Sequence, residues 1–151
     1  MTTYSFSPLM IIGFTFNKIA IERKGRLKGK ISVKHDLQLK EVTEQALTFK
    51  EHNKGVSFNF DFMIFYEPKM GSLSINGDVM YYNEPKKVKE ILDTWKKTKK
   101  LAPDVSLEVI NTILSRCNIK ALELAEDLNL PAHIPLPKVE IEREKYSSYI
   151  G

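Results

Sequence analysis

The chain has 151 residues, 42% of them hydrophobic and 28% charged, a size and balance that suit one domain around one core and exclude a disordered chain. The net charge of +4 would help attract an anionic partner but is small beside the footprint of a dedicated nucleic-acid binder. A single cysteine, Cys117, excludes an internal disulfide, and the apolar stretch from Leu9 to Ile12 has neither a basic leader nor the length of a membrane span, so a cytoplasmic protein is expected.

From Gly13 onward, Phe14 and Phe16 alternate with polar residues, and Ile19 and Ile21 resume the alternation one position out of phase. The slip predicts a β-bulge inside one long strand, because one extra residue moves every later side chain to the other face. Gly25 to Lys30 is a short basic turn. Ile31, Val33, His35, Leu37 and Leu39 then recur at intervals of two, which marks a strand with one buried face. Glu41 to Lys50 fits either a continuation of that strand or a helical turn, and His52 to Gly55 is a polar break. Val56 to Tyr66 places Phe58, Phe60, Phe62 and Ile64 on one face, with Met63 and Phe65 on the other. A turn with proline and glycine follows at Glu67 to Gly71. Asn76-Gly77 could close a two-residue hairpin inside Ser72 to Tyr82. Taking Gly77 as a bulge instead lets the whole of Ser72 to Tyr82 pair with Val56 to Tyr66, eleven residues against eleven, and that arrangement is preferred. The expected sheet, over 13–82, is an antiparallel meander of four strands.

Past Tyr82 the period becomes helical. Asn83 can cap a helix carrying Val88, Ile91, Leu92 and Trp95, and Pro103 ends it. Asp104 opens a second helix to about Asn129, where Leu107, Ile110, Leu114, Cys117, Ala121, Leu124 and Leu128 are spaced alternately by three and four. At about 1.5 Å per residue this seam is roughly 37 Å long. Such a helix must cross the sheet or meet a neighbouring subunit, so Leu107, Ile110, Leu114 and Cys117 are candidate contacts between copies in a homo-oligomer. Leu130 to Pro137 is too rich in proline for helix and should run extended, and Ile141 to Gly151 is charged and expected to fray. Strands first and helices second give an α+β fold: a twisted four-stranded antiparallel sheet, two helices over 83–129, and an extended tail over 130–151.

No catalytic constellation assembles from these elements. His35, His52 and His133 have no second histidine or cysteine at metal-ligand spacing. His35 and Asp36 are strand neighbours that point to opposite faces, which denies them a triad hydrogen bond. Cys117 lies in an apolar seam, where a thiol behaves as a small hydrophobe. Gly25 and Gly29 lack the following helix that a phosphate-cradling loop requires. A binding protein without catalysis, metal or cofactor is expected.

Two features point to partners. Lys86, Lys87, Lys89, Lys96, Lys97, Lys99 and Lys100 crowd one short helix, a basic surface that could meet the phosphates of a nucleic acid or ribosome. Arginine, the residue that usually clamps phosphate or reads bases, is absent there, and a solvated helix face is the favoured explanation. The second feature is aromatic and methionine residues of both parities in two paired strands. A second apolar face needs its own cover, which makes Phe58, Phe60, Met63, Phe65, Tyr66, Met80 and Tyr82 candidates for binding extended apolar polypeptide.

The succession of a bulged strand, further antiparallel strands, Gly71-Ser72-Leu73-Ser74-Ile75-Asn76-Gly77, a helix, Pro103-Asp104, a long helix and Leu136-Pro137-Lys138-Val139 resembles the SecB family of export chaperones and their SecB-like relatives. The likeness runs from about Phe14 to Val139. It implies a SecB-like α+β fold, dimers or tetramers, and a holdase that keeps unfolded clients from aggregating in hydrophobic grooves without ATP. It also implies service to protein export or to one dedicated client such as an antitoxin. The basic charge departs from the acidic export chaperones and speaks against docking to the secretion motor.

Overall fold

Alternating side chains build most of the molecule. The computed structural model describes residues 10–48 and 53–137, with strands β1 (Ile11–Arg23), β2 (Ser32–Thr48), β3 (Lys54–Glu67) and β4 (Gly71–Asn83), then helices α1 (Pro85–Thr98) and α2 (Pro103–Asp127). The class is the expected one: a four-stranded antiparallel sheet followed by two helices.

Spatial order is β1-β4-β3-β2, with every pairing antiparallel. β2, β3 and β4 form a meander, but β1 lies beside β4, which corrects the expected four-strand meander. The physical reason is burial. Alternate residues of β4 are as deeply covered as those of β3, and a strand so placed needs a neighbour on each side to pair its backbone and flank its apolar residues.

The expected bulge in β1 falls at Asn17, between the pairs Phe16 with Gly77 and Lys18 with Asn76, and a second register shift lies between Ile11 and Gly13. Gly77 itself pairs in register with Phe60, so β4 is continuous, and the bulge expected at Gly77 belongs to its neighbour. Glycine is needed at 77 for another reason. A Cβ there would press on the Thr15 carbonyl and lie 2.7 Å from Cζ of Phe60, whose ring covers the bare backbone. β2 continues through Thr48, which resolves the described part of Glu41 to Lys50 as strand; residues 49–52, including His52, lie outside the described residues, as do 138–151.

The core lies on one sheet face. Val56, Phe58, Phe60, Phe62, Ile64 and Tyr66 of β3 and Leu73, Ile75, Val79 and Tyr81 of β4 are at most 3% exposed. Half-buried Phe14, Phe16, Leu37 and Leu39 extend this face onto the outer strands. α1 covers it with Val88, Ile91 and Trp95, and α2 with Val105, Val109, Ile113, Cys117, Ala121 and Ala125. This second stripe repeats every four residues and corrects the expected seam. The stripe is made of valine, isoleucine, cysteine and alanine, mostly small side chains. Ile110, Leu114, Leu124 and Leu128 splay to the flanks, and Leu107 points away at 67% exposure.

Pro85 and Pro103 each open a helix at its first turn, where a missing N–H costs nothing. Asn83 does not cap α1 directly; Glu84 is the capping residue, and its N–H donates to Asn83 Oδ1 at 2.8 Å. α1 ends at Thr98, before Pro103 can act, because Lys99 turns into the left-handed region at φ 56° and donates its N–H to the Trp95 carbonyl. Residues 130–137 form neither helix nor strand, and Leu130 and His133 anchor them in the core.

Candidate polypeptide-binding surfaces

The side chains singled out in the paired strands divide between two faces. Phe58, Phe60 and Tyr66 are at most 1% exposed and belong to the core, which corrects their assignment to a binding surface: their parity is the one the helices cover. Met63, Phe65, Met80 and Tyr82 project from the opposite face and are half-buried. That face is not continuously apolar. Met63 and Phe65 pair with Ser74 and Ser72 toward one end of the sheet, and Met80 and Tyr82 pair with Ser57 and Gly55 toward the other. Between them lies a network of amides and carboxylates. Asn59 Nδ2 donates to Asp78 Oδ1 at 2.8 Å, Asn76 Nδ2 to Asp61 Oδ1 at 2.7 Å, and Asn17 Nδ2, from the β1 bulge, to Asp78 Oδ2 at 2.7 Å. Charge-assisted bonds of this kind hold the middle of the face polar.

A recess unmarked in the sequence supplies a better apolar site. Leu27 and Ile31 from the link between β1 and β2, Leu122 and Ala125 near the end of α2, and Leu130, Pro131 and Leu136 of the tail line a cleft of about 600 Å³. One backbone and one side-chain bond fasten its tail wall: Leu130 N–H donates to the Ala125 carbonyl at 2.8 Å, and Arg23 Nη1 donates to the Leu128 carbonyl at 2.9 Å. His133 pins the tail farther on. Its Nε2 donates to Asn118 Oδ1 at 2.8 Å, and its ring stands edge-on to Phe62 and to His35, with centroids 6.1 and 6.3 Å away. With Nε2 carrying the proton, the buried Nδ1 keeps a lone pair with no hydrogen-bond partner. Burial, and secondarily the neighbouring His35, holds the His133 pKa below the ordinary histidine value. Sequence reasoning missed this cleft because its walls come from three distant segments. The available signals were Leu27 in a basic turn, Ile31 just after it, and a leucine-rich tail that cannot be helical.

The strand order, the covering helices and the anchored tail together permit comparison with known structures. A SecB-like chaperone of Mycobacterium tuberculosis, in complex with a ChAD peptide from the HigA1 antitoxin, matches 87% of this chain and 91% of its own, with a TM-score of 0.50 and 11% sequence identity. The fold is SecB-like. No protein-family model and no curated protein matches the sequence.

Within this SecB-like fold the lysines do not form one face. Lys87 Nζ lies 3.2 Å from an Asp104 carboxylate oxygen, and Lys99 Nζ lies 5.5 Å over the Trp95 ring. Lys86, Lys89 and Lys96 line a second recess beside α1, while Lys97 and Lys100 are exposed outside it. The comparisons lend no support to a nucleic-acid role. Cys117 faces the sheet and is fully buried, so it is removed from the candidate contacts between copies; burial pushes its thiol pKa up to about 12, which keeps the nucleophilic thiolate scarce. Among the described residues no helix is long and apolar enough to cross a membrane.

Proposed function

We propose that the chain is an ATP-independent holdase that binds extended, apolar stretches of unfolded polypeptide. The apolar cleft at the tail end of α2 carries this reading: among the described residues that line it, only Glu126 is charged and only Asn129 is otherwise polar. Such a surface gains free energy by covering apolar area and selects no particular backbone sequence. Burying one leucine or phenylalanine side chain is worth about 1.5–3 kcal/mol, so useful affinity needs several anchoring points. Met63 and Phe65 lie toward the same end of the sheet, where Ser32 pairs with Glu67, and offer a second point on the outer face. Association of copies through Leu107, Ile110 and Leu114 would multiply the sites further. The related fold that holds an antitoxin peptide in the mycobacterial chaperone supports this reading. A cytoplasmic location and clients destined for export, or one dedicated client, go with it. The test is light scattering from a chemically unfolded enzyme diluted into buffer without ATP. Stoichiometric chain suppresses the scattering, and Leu27→Asp weakens the suppression; scattering unchanged by the wild-type chain at equimolar amounts would reject the proposal.

A further inference from the structure

We propose that the recess beside α1 is a docking site for an acidic segment of a partner protein, one that presents an aliphatic side chain between carboxylates. The recess, of about 570 Å³, lies between one flank of α1 and the neighbouring ends of β2 and β3, and it shares no lining residue with the apolar cleft. Its apolar floor includes Val88 and Leu92, and lysines 86, 89 and 96 of α1 stand along its rim. Lys89 and Lys96 are two helical turns apart, about 10 Å, with Leu92 one turn from each on the same flank. A cationic rim around an aliphatic floor is therefore built into the helix repeat.

The charges do not cancel internally. Glu44 is taken up by Lys54, whose Nζ lies 3.4 Å away. Among the described residues Asp93 is the one remaining carboxylate in the lining, set against three α1 lysines. Among the described residues Lys86, Lys89 and Lys96 form no ion pair. No acidic residue sits in the first turn of α1, and Glu84 at its N-cap is not among the lining residues. Charge complementarity calls for an anion, and the floor decides which. Single-stranded nucleic acid binds by stacking bases on aromatic or guanidinium planes. Among the described residues no aromatic or arginine side chain lines this recess, and Trp95 on the same helix is turned into the core. An aliphatic floor fits leucine or isoleucine, and the lysine rim fits aspartate or glutamate on either side. This site is independent of the holdase reading, and partner and client can be held at once.

Fluorescence anisotropy on the full chain tests the assignment with four labelled probes: a ten-residue peptide alternating glutamate pairs with leucine, its leucine-to-serine version, its glutamate-to-lysine version, and a ten-nucleotide uridine oligomer. The acidic leucine peptide is expected to bind most tightly, with affinity falling as salt rises. Combined K86E, K89E and K96E substitutions weaken it on the order of tenfold. Combined K97E and K100E substitutions, outside the recess, weaken it less than about threefold. Matching thermal melts of the two variants separate this loss from unfolding. Equal or tighter binding of the uridine oligomer overturns the proposal in favour of a nucleic-acid face. Equal loss from both variants, or indifference to the leucine-to-serine change, overturns it in favour of unspecific charge attraction. Should the triple variant melt early, the comparison between the leucine and serine peptides on the native chain still decides.

Discussion

His133 sits where a proton has nowhere to go. Its Nε2 is committed to Asn118, its Nδ1 is buried with no hydrogen-bond partner among the described residues, and the His35 ring stands edge-on to it. In the unfolded chain the imidazole titrates near its ordinary value of 6.5, whereas in the folded chain its pKa is lowered. As pH falls below 6.5 the unfolded state therefore binds a proton that the folded state does not, and linkage makes stability fall with pH. The melting temperature is expected to be lower at pH 5.5 than at pH 7.5, and this difference should shrink in a His133→Gln variant, as scanning calorimetry at the two pH values would show. A wild-type melting temperature that does not fall between pH 7.5 and 5.5 would contradict the account. Because His133 pins the tail that walls the apolar cleft, the same titration loosens the proposed client site.

Among the elements, α2 shows best what packing adds to pattern. Its sheet-facing stripe predicts that Ile113→Ala costs about 2–5 kcal/mol by opening a cavity under the helix. Leu107→Ala, on the outward side, should fall within about 0.5 kcal/mol of the native chain; urea denaturation of the two variants separates them. The sequence pattern suggested the reverse emphasis, since the leucines make a conspicuous seam spaced by three and four. They were the wrong guide because a helix lying close on a sheet buries small side chains at the centre of contact and turns bulky ones to its flanks. The strands were more legible. Period-two alternation marked the first three, matching lengths against Val56 to Tyr66 supplied the fourth, and the phase slip between Phe16 and Ile19 pointed to the bulge that falls at Asn17. Alternation says which residues share a face but not which face is covered. That is why the sequence alone leaves Phe58, Phe60 and Tyr66 among the binding candidates although they are core.

For the molecule as a whole, the fold class and its SecB-like layout were readable from the order of elements, whereas the pairing of β1 with β4 was not. Strand parity carries no label for a distant partner. The apolar cleft was equally hidden, because residues near 27, 125 and 135 meet only after the sheet has closed. Association between copies is the remaining property at this scale. If Leu107, Ile110 and Leu114 form the contact, light scattering should give the native chain a multiple of the 17.4 kDa chain mass, and Leu107→Asp should lower it. A native chain of monomer mass at micromolar concentration would reject this contact.

The strand order also dictates a sequence of assembly. β1 and β2 are joined by residues 24–31 yet occupy opposite edges of the sheet. Tyr66 meets Gly71 across a tight turn, while Ile11 must find Tyr81 from the far side of the chain. Closing so long a loop before any contact rewards it is entropically slow. The segment synthesised early is thus among the last to be sheltered, and Phe14 and Phe16 wait uncovered until β4 has emerged. A protein proposed to shield the unfinished chains of others passes through such an unfinished state in its own biogenesis.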